Sequence, residues 1–308
     1  MSIIKIEDVA HVRFRAPDLG EMQTWLEQFG MQVAVRDDTR LFTRGRGDAP
    51  FLHATELGEA GFAGLGLRAE SLADLERLAA AEGVPVEPFD APGGGFVVRL
   101  SDPDGHVVEV VAGQSKVDAI AFDPRAPWNG AEARPRKRVV KRTGSGPARV
   151  VRLGHVVLNV SNFRASEAWY KERFGFITSD EISLSPEFSI GAFLRCDRGD
   201  TPTDHHTLFL LQNPKGPGFN HAAFEVRDLD DLMAGHDHLK AAGRTPAWGV
   251  GRHLLGSQVF DYWLDPWGHM LEHWTDGDLF TAADGSNIAP ITDLMGAQWG
   301  PPPSSNFG

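Results

Sequence analysis

Cysteine is nearly absent: Cys196 is the single thiol in 308 residues. One cysteine excludes an intramolecular disulfide framework, fits a reducing cytoplasm, and reads most simply as a small buried apolar side chain. Long apolar runs are also missing, since none reaches the roughly 18 residues of a bilayer-spanning helix, so no membrane partner is expected. The opening stretch MSIIKIEDVAHVRF lacks the apolar core of a signal peptide. Positive charge is in deficit. With 30 Lys and Arg against 42 Asp and Glu, the net charge of −12 disfavours nucleic acid or an anionic surface as the main partner. These absences point to a cytoplasmic protein acting on a small molecule.

What is present is a repeat. The stretch VAHVRFRAPDLGEMQTWLEQFGM (9–31) pairs with LGHVVLNVSNFRASEAWYKERFGF (153–176). Each opens as an alternating strand carrying a histidine, His11 or His155, and continues through a helix-start residue into a helix ending at Phe-Gly. Next, AGLGLRAESLADLERLAAAEG (63–83) pairs with HAAFEVRDLDDLMAGHDHLKAAG (221–243), again a strand and a glycine-stopped helix. Each half closes on a strand, an Asp-Pro-x-Gly-His turn and a second strand, LSDPDGHVVEVV (100–111) and WLDPWGHMLEHW (263–274). The expected organisation is therefore α+β: two similar domains at 5–113 and 150–275, joined by a linker at 114–149. The basic run RPRKRVVKR (134–142) in that linker is expected to be solvated or to contact another subunit. A Gly- and Pro-rich tail, 276–308, looks irregular. Its leucines, isoleucines and aromatic residues predict that it packs on the body, with Thr292 to Trp299 the best candidate for a lid.

Nine of the twelve histidines fall between 155 and 273, which draws attention to the second half. Any one histidine on a strand is more often packed than ligating; the joint pattern carries the signal. His155, His221 and Glu272 each sit on a strand that a curved sheet can bring to one cleft. Two histidines and a carboxylate leave open coordination positions, which suits non-haem iron(II) and oxygen chemistry. Glu272 is a charge inside the apolar run HMLEHW, and a buried carboxylate needs a cation or hydrogen bonds. In the first half, His11 aligns with His155 and Glu109 with Glu272, but Gly64 takes the place of His221. That half is expected to hold no metal and to serve as scaffold. His206, His253 and Tyr262 cluster with the triad and could handle protons and charge.

The segment GRHLLGSQVFDYWLDPWGHMLE (251–272) resembles the signature of type I extradiol dioxygenases of the vicinal oxygen chelate superfamily. Gly251, His253, Tyr262, Asp265, Pro266, Gly268 and Glu272 match it in order. Asp261 stands where that signature has an apolar residue. The resemblance, spanning roughly 5–275, implies paired βαβββ modules around a cleft and a homo-oligomer. It implies iron(II), with manganese(II) as the alternative, on His155, His221 and Glu272. It further implies His206 as acid/base, and His253 and Tyr262 as hydrogen-bonding partners of the substrate oxygens. The reaction implied is cleavage of a catechol-type ring beside the diol by O2. A trihydroxybenzene or hydroquinone is an alternative substrate. A glyoxalase-like isomerase or lyase with a fourth protein ligand, or a metal-free binding module of bleomycin-resistance type, are the rival functions. Phe188, Phe193, Trp248 and Leu254 are candidate pocket walls.

Overall fold

The computed structural model describes residues 2–305 and Phe307. The first half runs β1 (Ile6–Ala16), α1 (Leu19–Phe29), β2 (Gln32–Arg36), β3 (Arg40–Arg44) and β4 (His53–Leu57). It then repeats the pattern as β5 (Gly61–Ala69), α2 (Leu72–Glu82), β6 (Glu87–Pro88), β7 (Phe96–Ser101) and β8 (Val107–Ala112). In the second half come β9 (Val150–Val160), α3 (Phe163–Phe174), β10 (Ile177–Ser185), β11 (Phe188–Arg195), the short β12 (Thr203–Asp204) and β13 (Leu208–Gln212). The fourth unit holds β14 (Gly218–Val226), α4 (Leu229–Ala241), β15 (Pro246–His253), β16 (Val259–Leu264) and β17 (Met270–Thr275). The tail adds β18 (Leu279–Phe280), β19 (Asn287–Pro290), α5 (Ile291–Leu294) and β20 (Ala297–Trp299).

Local chemistry sets the recurring strand–helix unit. Asp18 and Asn162 cap α1 and α3 by accepting from backbone amides in the first turn. Gly30 and Gly175 then end these helices at φ of 110° and 72°, a left-handed conformation that side chains resist. The Asp-Pro-x-Gly-His turns carry more than backbone angles. Asp265 Oδ1 accepts from the amides of Trp267 and His269, each at 2.8 Å, while its Oδ2 meets His269 Nδ1 at 2.8 Å. Asp102 repeats this with Asp104, His106 and the His106 ring.

Two sheets result. The first is ordered β2-β3-β4-β1-β5-β8-β7-β6, and the second β19-β10-β11-β13-β9-β14-β17-β16-β15-β20. Within each, the two βαβββ units meet along an antiparallel central pair, β1 with β5 and β9 with β14. The halves touch through buried groups: the Phe14 and Phe219 rings lie 5.0 Å apart, and His273 Nε2–H donates to the Phe29 carbonyl at 2.6 Å. Residues 114–149 form no helix or strand, and most of the basic run is exposed. Lys141 within it pairs with Asp230 at 2.7 Å.

The tail corrects one expectation. It is not irregular throughout, because β19 extends the second sheet alongside β10 and β20 pairs with the outer edge of β15. Edge strands expose unpaired backbone groups, and these two short segments satisfy some of them.

Candidate metal centre and its cleft

Sheet register builds the site. His155 on β9 faces Ala223 on β14, Ala223 faces Glu272 on β17, and Glu272 faces Tyr262 on β16. Side chains of directly paired residues share a face, so one row across four strands delivers His155, Glu272 and Tyr262 to the same cleft. His221 lies two residues before Ala223, hence on the same face. Ala223, a small residue, leaves room between them.

The three side chains converge. Glu272 Oε2 lies 3.3 Å from His155 Nε2 and 3.4 Å from His221 Nε2, and ligand atoms of the trio all fall within 4.8 Å of one another. Neither oxygen of the fully buried Glu272 has a hydrogen-bond partner. A carboxylate stripped of water with no donor is costly unless a cation completes it. Burial by itself would raise the Glu272 pKa, but His155 and His221 outweigh that and hold it well below the usual carboxylate range. Burial likewise lowers the His221 pKa, which keeps it neutral and able to ligate. The His221 ring is aimed by Asn220, whose Oδ1 meets Nδ1 at 2.8 Å and leaves Nε2 free for the cleft. Asn220 sits in a register shift of β14 between Phe219 and His221, a bulge that re-aims side chains beside a site. The donor set and the orphaned carboxylate fit a metal ion.

In the first half, arginines flank the equivalent carboxylate. His11, Gly66, Glu109 and Arg99 form the equivalent row on β1, β5, β8 and β7. Glu109 bonds His11 Nε2 at 2.9 Å, Arg13 Nη1 at 3.1 Å and Arg99 Nε at 3.0 Å. Two guanidinium groups therefore neutralise the carboxylate. Burial pulls its pKa up, but these partners bring it down to about 2. Arg99 occupies the position of Tyr262, and Gly64 that of His221.

The remaining predicted residues also line the cleft. His253 ends β15, and its Nε2 lies 2.9 Å from the Tyr262 hydroxyl. Burial lowers His253 to about 4 and pushes the Tyr262 phenol well up, so the first stays neutral and the second keeps its proton. His206 precedes β13 and lies over His155, with ring centroids 4.0 Å apart. Burial, reinforced by His155, drives its pKa well below the ordinary value. Asp261, the departure from the resembled signature, faces the opposite side of β16. There it accepts from Trp263 Nε1 at 2.6 Å and meets His236 Nδ1 at 3.1 Å, so Tyr262 is undisturbed.

Among the pocket walls, Phe193 and Trp248 line the cleft, whereas Phe188 and Leu254 do not. Those two are half exposed because Phe188 opens a hairpin strand and Leu254 lies outside β15. Leu294, Met295 and Phe307 of the tail join the lining instead. Sequence reasoning missed Asn220, Arg13, Arg99, His205 and Asp180. The doubled histidine at 205–206 was the one available signal for His205.

The doubled βαβββ fold is of the vicinal oxygen chelate type, and its second half carries a buried cluster of two histidines and a carboxylate that could hold a metal ion. A family profile described as Glyoxalase/Bleomycin resistance protein/Dioxygenase superfamily matches residues 152–273, the half that carries the cluster. It is 29% identical over 309 residues to Metapyrocatechase 2 of Cupriavidus necator, covering 96% of this chain and 89% of that one. The Mn(II)-bound glyoxalase from Novosphingobium aromaticivorans superposes with a TM-score of 0.80 at 23% identity, over 99% of this chain and 94% of its own. An extradiol ring-cleaving dioxygenase from B. fuscum gives 0.77 at 18% identity, over 94% and 77%. These two structural likenesses speak to the fold alone.

Proposed function

We propose that this protein is an extradiol dioxygenase that holds iron(II) on His155, His221 and Glu272 and cleaves a catechol-type ring beside its diol with O2. The observation that carries the reading is the unpartnered Glu272 carboxylate facing two imidazole nitrogens at 3.3 and 3.4 Å. The likeness to a metapyrocatechase along nearly the whole chain supports the reaction class. Three protein ligands, and no fourth in the cluster among the described residues, favour it over a glyoxalase-like isomerase.

Bound iron would supply Lewis acidity toward a phenol and the capacity to couple ring electrons to oxygen. The chain's own residues handle the rest. His206, neutral and beside His155, takes the phenolic proton and later returns one to the developing product. The Tyr262 hydroxyl and His253 hydrogen-bond the substrate oxygens and fix the ring's orientation. Val157, Phe193, Phe209 and Leu255 surround the ring with apolar surface and limit water. Both atoms of O2 end in the ring-opened semialdehyde.

The test is an oxygen electrode with anaerobically iron-loaded protein and a series of catechols, trihydroxybenzenes and hydroquinones. One O2 consumed per coloured ring-opened product is expected. An iron-replete protein that consumes no O2 with any of them overturns the reading, and activity restored by manganese(II) alone would reassign the metal.

A further inference from the structure

Behind His206 lies a chain of buried groups that the reaction outlined above leaves unused. His205 Nδ1 lies 3.0 Å from His206 Nδ1, and His205 Nε2 lies 2.6 Å from Asp180 Oδ2 on β10. His205 is clamped on both sides of its backbone: its amide donates to the Asp278 carbonyl at 2.9 Å, and its carbonyl accepts from Ser179 Oγ at 2.6 Å. A side chain on Gly256 would meet the His205 ring within 2.9 Å, so glycine there lets the following loop close over it.

Hydrogen-bond roles along this chain are linked from Asp180 to His206. An ionised carboxylate only accepts, so His205 Nε2 carries the hydrogen bonded to Asp180. An imidazole with its single hydrogen on Nε2 presents Nδ1 as an acceptor. The facing Nδ1 of His206 must be the donor, because two lone pairs 3.0 Å apart would repel. His206 is thereby left with a bare Nε2, the nitrogen remaining for the cleft. We infer that Asp180 and His205 are positioning residues that fix the tautomer and orientation of His206, so that its cleft-facing nitrogen is a proton acceptor. Reversing either bond would turn that nitrogen into an N–H and present the wrong group to the substrate. This inference rests on the dioxygenase reading with His206 as acid/base.

The experiment compares iron-loaded variants by metal content, thermal midpoint, kcat and KM for a catechol that the wild type cleaves. Asp180→Asn offers an amide that can donate as well as accept, which permits the reversed chain. Its kcat should fall 10- to 100-fold, with KM within threefold and iron at one per chain. His205→Asn keeps an acceptor oxygen near the Nδ1 position and should retain kcat within about fivefold, whereas His205→Leu should lose at least 50-fold. Asp180→Asn added to His205→Asn should cost nothing more, since Asp180 acts only through His205. A wild-type kcat in Asp180→Asn, or its full loss persisting in the double variant, overturns the inference. Equal activity of His205→Leu and His205→Asn does so too, and that pair decides the matter if Asp180→Asn does not fold. An iron-replete wild type inactive on every catechol defeats the parent reading instead, so the two failures are distinguishable.

Discussion

Gly64 stands in β5 at the position His221 holds in β14: each lies two residues before the small residue, Gly66 or Ala223, that faces the glutamate. One copy of an internal repeat thus carries the histidine of the candidate trio and the other lacks it. His221→Gly should reproduce the first half's condition, losing bound metal and at least 100-fold in turnover. Elemental analysis checks this, and full metal occupancy in the variant would break the ligand assignment. His11→Ala should leave one metal per chain and turnover within about threefold. Its cost would appear as stability, roughly 1–3 kcal/mol for the buried partner left behind.

His206 touches His155 but lies outside the ligand trio. His206→Asn should therefore retain iron and bind catechol while turnover falls by about 10²- to 10⁴-fold, the usual worth of a positioned acid/base. Stopped-flow binding separated from turnover gives the answer. Loss of iron would make His206 a ligand.

The repeat made much of this legible in advance. A two-residue period places His155, Glu272 and Tyr262 on definite faces, so a strand assignment alone nearly fixes the site. Asp180 stayed invisible because its partner is 25 residues away and meets it only through the packing of β10 against the loop before β13. The arginines at 13 and 99 were equally hidden, since nothing local distinguishes a surface arginine from one turned onto Glu109. The tail's strands are two to four residues long, too short for any periodicity to announce them.

Acid should unfold the protein partly through His53, buried on β4 and stacked on Phe14 with ring centroids 4.9 Å apart. Burial depresses its pKa to about 3, against a smaller upward pull from Asp265. The unfolded chain takes up this proton near pH 6.5 and the folded one does not. Unfolding therefore binds protons between those values, and stability present above pH 6.5 is lost as pH falls toward 3. At pH 5 this one group accounts for about 2 kcal/mol. Urea titrations at pH 7 and pH 5 should show His53→Leu losing less stability than wild type by about that amount. Equal losses in the two proteins would exclude the role.

Three residues from two segments of the tail line the cleft. Leu294 and Met295 line the cleft at and just beyond the end of α5, and Phe307 meets both Trp248 and Tyr262 edge-on, with ring centroids 4.8 and 5.2 Å apart. Side-chain bonds to backbone carbonyls hold this segment down: Trp248 Nε1 donates to the Pro301 carbonyl at 2.8 Å, and Gln298 Nε2 to the His253 carbonyl at 3.0 Å. These contacts bear on the elements that present His253 and Tyr262, so the tail and those two side chains are mechanically joined. Ending the chain after residue 290 leaves the β19 pairing intact but strips β15 of its outer partner and opens the cleft. KM for catechol should rise about tenfold and oxidative loss of activity during turnover should quicken, with initial metal content unchanged. Phe307→Ala, which touches no backbone bond, should produce a smaller rise in KM in the same direction. Should both variants fold, load metal and keep wild-type KM and lifetime, the tail would be packing for the sheet edge and nothing more.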